Sequence, residues 1–352
     1  MQGLYTIGKE RFEVISLAYN NFLNDLNDIK DGGKYAGQYS QERSLRGKEI
    51  EVIYDYIQGK EDKEITIIID MNNIVFYPSR AFEKFMDLKE NRIIFWRVAD
   101  LSKKLKNDLS DYYLENIDSN GNILLFSNIF TKEEFFREIQ SSLADIYINE
   151  CAEIVSRITK NHDAEKPQES SGIYSNSYVH IKDLFTKPYD YNYIIFELLS
   201  LINSLNIQFD ALVSTSRNGA VIANILGWLL EKKVVHCTSL GPKYAIEVNT
   251  VNKEIRKGKK YLYIFDFICL GTEIKVLNAL LDIKEAELVG GVGIANYIDF
   301  DSPYAKRNVL GNMKGLVNIM NFEIPYFIAG TKEDLKILME ERANRGRTSK
   351  GV

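Results

Sequence analysis

Between residues 191 and 297 strands and helices follow one another along the chain, and this limits its fold more than any other feature. FDALVST (209–215), KVVHC (233–237), YLYIFDF (261–267) and AELVGGVGIANY (286–297) read as strands. YNYIIFELLSLINSLN (191–206), GAVIANILGWLLEKK (219–233) and TEIKVLNALLDI (272–283) read as helices. The strands are apolar on both faces, which predicts a parallel sheet covered on both sides by helices. Val221, Ile225 and Leu229 sit four apart and predict the core-facing stripe of the second helix.

The first 160 residues carry an α/β pattern of their own. Residues 8–30 and 40–57 read as helices, the first ending near Gly32-Gly33. EITIIIDMNNIVFY (64–77) has the β-branched density of a buried strand followed by an Asn-Asn turn. RIIFWRVA (92–99) and NILLF (122–126) are further strands, with helical stretches at 79–90 and 100–114. Thr131 with Glu134 predicts a capping box for a helix running to Lys160. The polar run 161–172, broken by Pro167 and Gly172, marks a joint. The expected organisation is an N-terminal α/β domain over 1–162 with no assigned activity and a linker over 163–172. A second α/β domain follows over 168–335, then a helix and basic tail over 336–352. Asp70 ends the most hydrophobic strand of the first half, where open sheets gather ligands, yet Asp-x-Asn-Asn is equally a turn former.

Composition removes several classes of function. A formal net charge of -5 supplies no bulk basic field, so nucleic-acid binding is not favoured. Arg256, Lys257, Lys259 and Lys260, and the terminal Arg342, Arg345, Arg347 and Lys350, read as a solvated turn and a polar tail. A nucleic-acid enzyme would need a positive groove to re-enter consideration. The opening MQGLYTIGKERFEV lacks an apolar secretion core, and no apolar run reaches the ~20 residues that span a bilayer. Cys151, Cys237 and Cys269 show no CxxC spacing, and His162, His180 and His236 are the only histidines. A reducing cytoplasm without membrane attachment, disulfide framework or structural zinc is expected. His236 and Cys237 read as core residues.

Two loops at strand ends carry the chemistry. Ser214-Thr215-Ser216-Arg217-Asn218-Gly219 runs from a buried strand straight into a helix, whose first amides are unpaired and favour an anion. Arg217 could close over a phosphate, although the same residues also make an ordinary tight turn. In the second loop, Asp266 ends a strand and Gly271-Thr272 opens a helix. The amides from Leu270 to Glu273 and the Thr272 hydroxyl could cradle a phosphate, leaving Asp266 for a sugar hydroxyl or hydrated cation. Neither G-x-x-x-x-G-K-[ST] nor G-x-G-x-x-G stands here, which disfavours NTP hydrolysis and dinucleotide binding.

Ile264 to Lys275 resembles the phosphoribosyl diphosphate (PRPP) motif of type I phosphoribosyltransferases, especially the orotate branch. Arg217-Asn218-Gly219 is similar to the pyrophosphate loop of that fold, and Ser170 to Tyr178 to the hood segment of the orotate enzymes. The resemblance covers roughly 168–300, reaching 335 at its widest, and says nothing of 1–160; it implies a phosphoribosyltransferase-like parallel sheet flanked by helices, to which the residue pattern adds an N-terminal α/β domain. It implies that Thr272 and the amides of 270–273 hold a 5-phosphate and that Thr215, Ser216, Arg217, Asn218 and Gly219 meet pyrophosphate. Asp266 would contact ribose, directly or through Mg²⁺ held by way of water. Lys243 would reach the pyrophosphate as a catalytic cation, or stand as an exposed loop lysine; Tyr178 would stack on a nucleobase, or pack the hood. Homodimerisation also follows from the resemblance.

The pattern departs from the family at several positions. Phe265 replaces the first of two adjacent acids, removing a charged hydrogen bond worth about 1.5–3 kcal/mol. Ser170 stands where the orotate enzymes place a lysine, and Lys243, Lys253, Arg256 and Lys257 do not reproduce the catalytic-loop arrangement. Glu273 adds a negative charge beside the phosphate cradle, or fills a first-turn position that favours acids. Two functions follow. One is PRPP-dependent phosphoribosyl transfer with Mg²⁺, by substitution at the anomeric carbon. The other is a non-catalytic PRPP- or nucleotide-sensing module, conceivably in a bacterial defence system.

Overall fold

The computed structural model describes residues 4–9, 11–30, 43–72, 74–78, 80–88, 90–98, 107–109, 113–118, 121–125, 139, 142–143, 145–162, 166–170, 173–237, 254–268, 271–296, 316–321, 328–329 and 331–348. The chain divides into two compact units, Met1–Glu150 and Cys151–Val352. The division falls inside a helix, Ile146–Arg157.

The first unit is built on a six-stranded sheet. Its elements are β1 (Ile7–Gly8), β2 (Phe12–Ser16), α1 (Leu17–Lys30), β3 (Arg43–Ser44), α2 (Gly47–Gln58), β4 (Thr66–Asp70) and β5 (Ile74–Phe76). A 3₁₀ turn (Glu83–Asp87), β6 (Arg92–Val98), β7 (Tyr113–Asp118), β8 (Gly121–Leu125) and α3 (Ile146–Arg157) follow. Strand order is β1-β2-β4-β6-β8-β7. The central β2, β4 and β6 run parallel, with Ser16, Asp70 and Trp96 level at their carboxyl ends. Ile67, Ile69 and Phe95 pack with Ile50, Ile53 and Ile57 of α2 and with Phe82 and Phe85.

Three readings of this half change. Residues 8–30 are not one helix: Phe12–Ser16 is a buried strand pairing with β4, and the helix begins at Leu17. Residues 79–90 supply a 3₁₀ turn; of the helix expected over 100–114, 107–108 are helical, Tyr113 and Leu114 already belong to the strand Tyr113–Asp118, and 100–106 and 110–112 lie outside the described residues. Thr131 and Glu134 lie outside the described residues, and the helix expected there is described over Ile146–Arg157.

The second unit opens with short antiparallel pieces: β9 (Thr159–Asn161), β10 (Gln168–Ser170), β11 (Ile173–Ser175) and β12 (Ser177–Val179). β9 pairs with β12, and β10 with β11, so strands occupy part of the run read as linker. After α4 (Ile181–Leu184) and α5 (Pro188–Ser204) come β13 (Ala211–Ser214), α6 (Arg217–Leu229), β14 (Lys233–His236), β15 (Lys260–Ile268), α7 (Thr272–Ile283) and β16 (Glu287–Asn296). β17 (Leu316–Asn321), β18 (Ile328–Ala329) and α8 (Lys332–Thr348) complete it. Five parallel strands in the order β14-β13-β15-β16-β17 form the sheet expected from the alternating pattern.

β15 lies at the centre of this sheet and is buried along both faces. Successive side chains point to opposite faces. Tyr261, Tyr263 and Phe265 therefore share one face, where they cluster with Ile274, Leu277 and Leu281 of α7. Leu262, Ile264 and Asp266 take the other. α6 packs on β13, β14 and β15, and it turns Ile222, Ala223, Leu226 and Leu229 inward. Val221, expected on the core stripe, is instead 41% exposed.

Candidate functional site

Both loops singled out in the sequence leave the carboxyl ends of neighbouring parallel strands, β13 and β15. Ser216 caps α6 in an extended conformation, and its Oγ accepts the Gly219 N–H at 2.9 Å. A Cβ on Gly219 would lie 2.8 Å from that Oγ and 3.1 Å from the Ile264 carbonyl oxygen. The first turn of α6 thus sits on the β15 backbone with no room for a side chain.

Asp266 is only 6% exposed. The Ser216 hydroxyl donates to its Oδ1 at 2.9 Å and the Asn218 amide to its Oδ2 at 3.1 Å. The acid expected to remain free for sugar or metal instead uses both oxygens to tie β15 to the start of α6. Burial raises its pKa, opposed by hydrogen bonds from the Phe267 amide, Ser216 and Asn218.

On the opposite face of β15 a second tie forms. The Thr215 hydroxyl donates to Glu273 Oε2 at 2.6 Å, and its oxygen lies 2.7 Å from the Tyr263 hydroxyl. Thr215 has one proton, so with Glu273 ionised Tyr263 must be the donor to Thr215. The order is Tyr263 to Thr215 to Glu273. Burial raises the Glu273 pKa and the Asp266 charge adds to the rise, while the Thr215 bond opposes it. The Tyr263 phenol is pushed upward mainly by burial.

Gly271 caps α7 in the left-handed region, at φ 68° and ψ 17°, with no side chain bonding the helix start. That conformation suits glycine, and it presents the first-turn amides of 272–274 without intrahelical partners. Thr272 opens the helix, Glu273 follows it, and Arg217 begins α6 with its side chain exposed. Leu270, Lys243 and Cys269 lie outside the described residues, as does the Thr272 side chain.

The lost acid has become core. Phe265 is 1% exposed and stacks on Tyr263 with ring centroids 5.5 Å apart. It faces Gly293 of β16, where an added Cβ would fall 2.1 Å from the ring. Asp266 would hold magnesium, directly or through water, with the lone pairs its oxygens keep beside Ser216 and Asn218. No trio of His, Cys, Asp or Glu able to hold a metal occurs among the described residues.

Tyr178 lies in β12, its ring edge-on to His180 at 5.1 Å and to Phe267 at 5.5 Å. His236, read as core, is exposed. Its ring bridges Ser214 Oγ at 3.0 Å and Asn224 Oδ1 at 3.2 Å, joining β14 to β13 and α6. Cys237 is buried, which pushes its thiol up to about 12.

In the first unit, Asp70 does form the expected turn bond, accepting the Asn72 N–H at 3.0 Å. Sequence reasoning missed its other partners. Arg97 Nε donates to Oδ1 at 2.8 Å, Arg97 Nη2 and the Tyr147 hydroxyl both donate to Oδ2, and the guanidinium lies over Trp96. Burial works against the Arg97 charge, but Asp70 outweighs it and raises the pKa. A positive φ of 57° at Arg97 accompanies this geometry.

No protein-family model and no curated protein sequence matches the chain. Solved structures do. Adenine phosphoribosyltransferase from Thermoanaerobacter pseudethanolicus is 11% identical, with 49% of this chain and 99% of that one covered at a TM-score of 0.39. Orotate phosphoribosyltransferase from Aeropyrum pernix is 16% identical over 55% of this chain and 99% of its own, at 0.38. The Trypanosoma brucei adenine enzyme, solved with AMP, pyrophosphate and ribose-5-phosphate, is 14% identical over 49% and 79%, at 0.37. About half of this chain lies outside the likeness. No helix among the described residues is long and apolar enough to cross a membrane.

Proposed function

We propose that the second unit binds a phosphorylated ribose of the PRPP or nucleotide class on its paired loops and serves as a sensing module. Support for binding comes from the loops themselves. Two helix starts open from adjacent strand ends, one capped by a left-handed Gly271 and the other pressed onto β15 through Gly219. Both follow the order of the resembling motifs.

One observation carries the choice of sensing over transfer. Asp266, the single acid left in the motif, spends both oxygens on Ser216 and Asn218. Phe265, in the other acid position, is packed over Gly293. A transition state with oxocarbenium character needs groups aimed at the developing charge, and these two residues are committed to the fold. Phosphoribosyl transfer is the second reading, and the retained Gly271-Thr272 turn favours it.

The two readings separate when the full chain is given PRPP, Mg²⁺ and a panel of nucleobases. PRPP binding without base-dependent pyrophosphate release is the expected result. Release that depends on one base would replace sensing by transfer, and absence of PRPP binding would remove both.

A further inference from the structure

Glu273 lies within the segment that carries the resemblance, and the structure gives its carboxylate a specific partner. Its carboxylate accepts a 2.6 Å hydrogen bond from Thr215, a member of the loop proposed to meet a ligand anion. It reaches this position from the first turn of α7, whose amides are the other half of the proposed cradle. A carboxylate here does what a bound anion would do: it takes a loop hydroxyl and lies at the positive end of a helix. Tyr263 supports the arrangement from below through Thr215.

We propose that Glu273 is a built-in occupant of the anion site, holding Thr215 until a ligand anion displaces it with uptake of one proton. The inference rests on the reading of the loops as an anion site. Displacement leaves the Glu273 carboxylate near a second negative charge and without its Thr215 bond, and burial already favours its neutral form. The proton comes from solvent and resides on Glu273, while the Thr215 hydroxyl turns to the ligand. The arrangement selects against weak anions, because a ligand must outcompete a tethered carboxylate at high effective concentration.

Inorganic pyrophosphate is the probe. Its binding to full-length wild type and Glu273→Gln is measured by calorimetry at pH 6.0 and 8.5, each in two buffers of different ionisation heat to count protons. Titration of pyrophosphate itself enters both proteins equally, so the difference between them isolates Glu273. The amide keeps the size of the side chain but accepts more weakly, and the variant is expected to bind about tenfold more tightly at pH 8.5, the effect of one lost charge-assisted competitor. Wild type takes up more protons on binding than the variant, and the advantage of the variant shrinks at pH 6.0. Adding Thr215→Val to Glu273→Gln returns affinity to the wild-type level or below. Glu273→Ala provides the same comparison where the amide variant does not fold. Equal affinity and equal proton uptake in wild type and variant, or weaker binding by the variant, overturns the proposal while leaving the loops as an anion site. No pyrophosphate binding by any of the proteins overturns the anion site beneath it.

Discussion

Ser216 and Asp266 meet at 2.9 Å across the junction of β13 and α6, and the same Ser216 oxygen accepts the Gly219 amide. One hydroxyl thus closes the helix cap and anchors the buried carboxylate. Removing that carboxylate takes the partner from two half-buried donors, Ser216 and Asn218. Asp266→Ala is expected to destabilise the second unit by about 2 kcal/mol, the scale of hydrogen bonds to a charged group. Urea unfolding followed at Trp228 measures this; a loss below 1 kcal/mol would show that the ties contribute little.

Asp266 and Glu273 are both held above the ordinary carboxylate range, chiefly by burial. The folded state therefore binds their protons more readily than the unfolded chain. Their favourable contribution is complete below the ordinary carboxylate pKa and is lost as pH rises through the raised values. Glu273→Gln removes one of these groups, so its Tm should exceed that of wild type at pH 8, with the gain shrinking towards pH 5. A Tm difference that grows on acidification would contradict the sign.

Restoring the second acid of the motif should not restore chemistry. Phe265→Asp places a carboxylate on the buried face between Tyr263 and α7 and empties the volume over Gly293. The cavity and the unpaired charge together predict a loss of at least about 3 kcal/mol. Soluble, cooperatively unfolding Phe265→Asp with base-dependent pyrophosphate release would argue that the site is an enzyme's after all.

The first unit has its own charged keystone. Asp70 is 1% exposed and receives Arg97 and Tyr147 at the carboxyl end of β4. Asp70→Ala leaves a half-buried guanidinium without its counter-charge, for an expected cost of about 2 kcal/mol. The two tryptophans fall one in each unit, Trp96 and Trp228, so a Trp228→Phe background makes fluorescence report the first unit alone. An unchanged unfolding midpoint would show that the cluster is dispensable for folding.

Much of the second unit was legible because its central strands are apolar on both faces and its helices begin at Ser216 and Gly271, residues with clear capping chemistry. The inward face of α6 was not. Val221, Ile225 and Leu229 suggested an aliphatic stripe; Leu229 does turn inward, but the rest of the face is made of the small residues Gly219, Ala223 and Gly227 together with Ile222 and Leu226. Close backbone approach, not bulk, sets that face. Phe12–Ser16 was hidden because a five-residue strand runs directly into Leu17 and α1, blurring two periods into one. The partners of Asp266 and Glu273 were beyond reach as well, since Ser216 is 50 residues from the first and Thr215 is 58 from the second.

Hydrogen–deuterium exchange of the full chain with PRPP, and no nucleobase, tests the central claim most directly. The account predicts slowed exchange in peptides covering 214–219 and 268–276, with peptides covering 66–70 unchanged. Exchange that stays the same in both loops at saturating PRPP, or protection confined to the first unit, would contradict it.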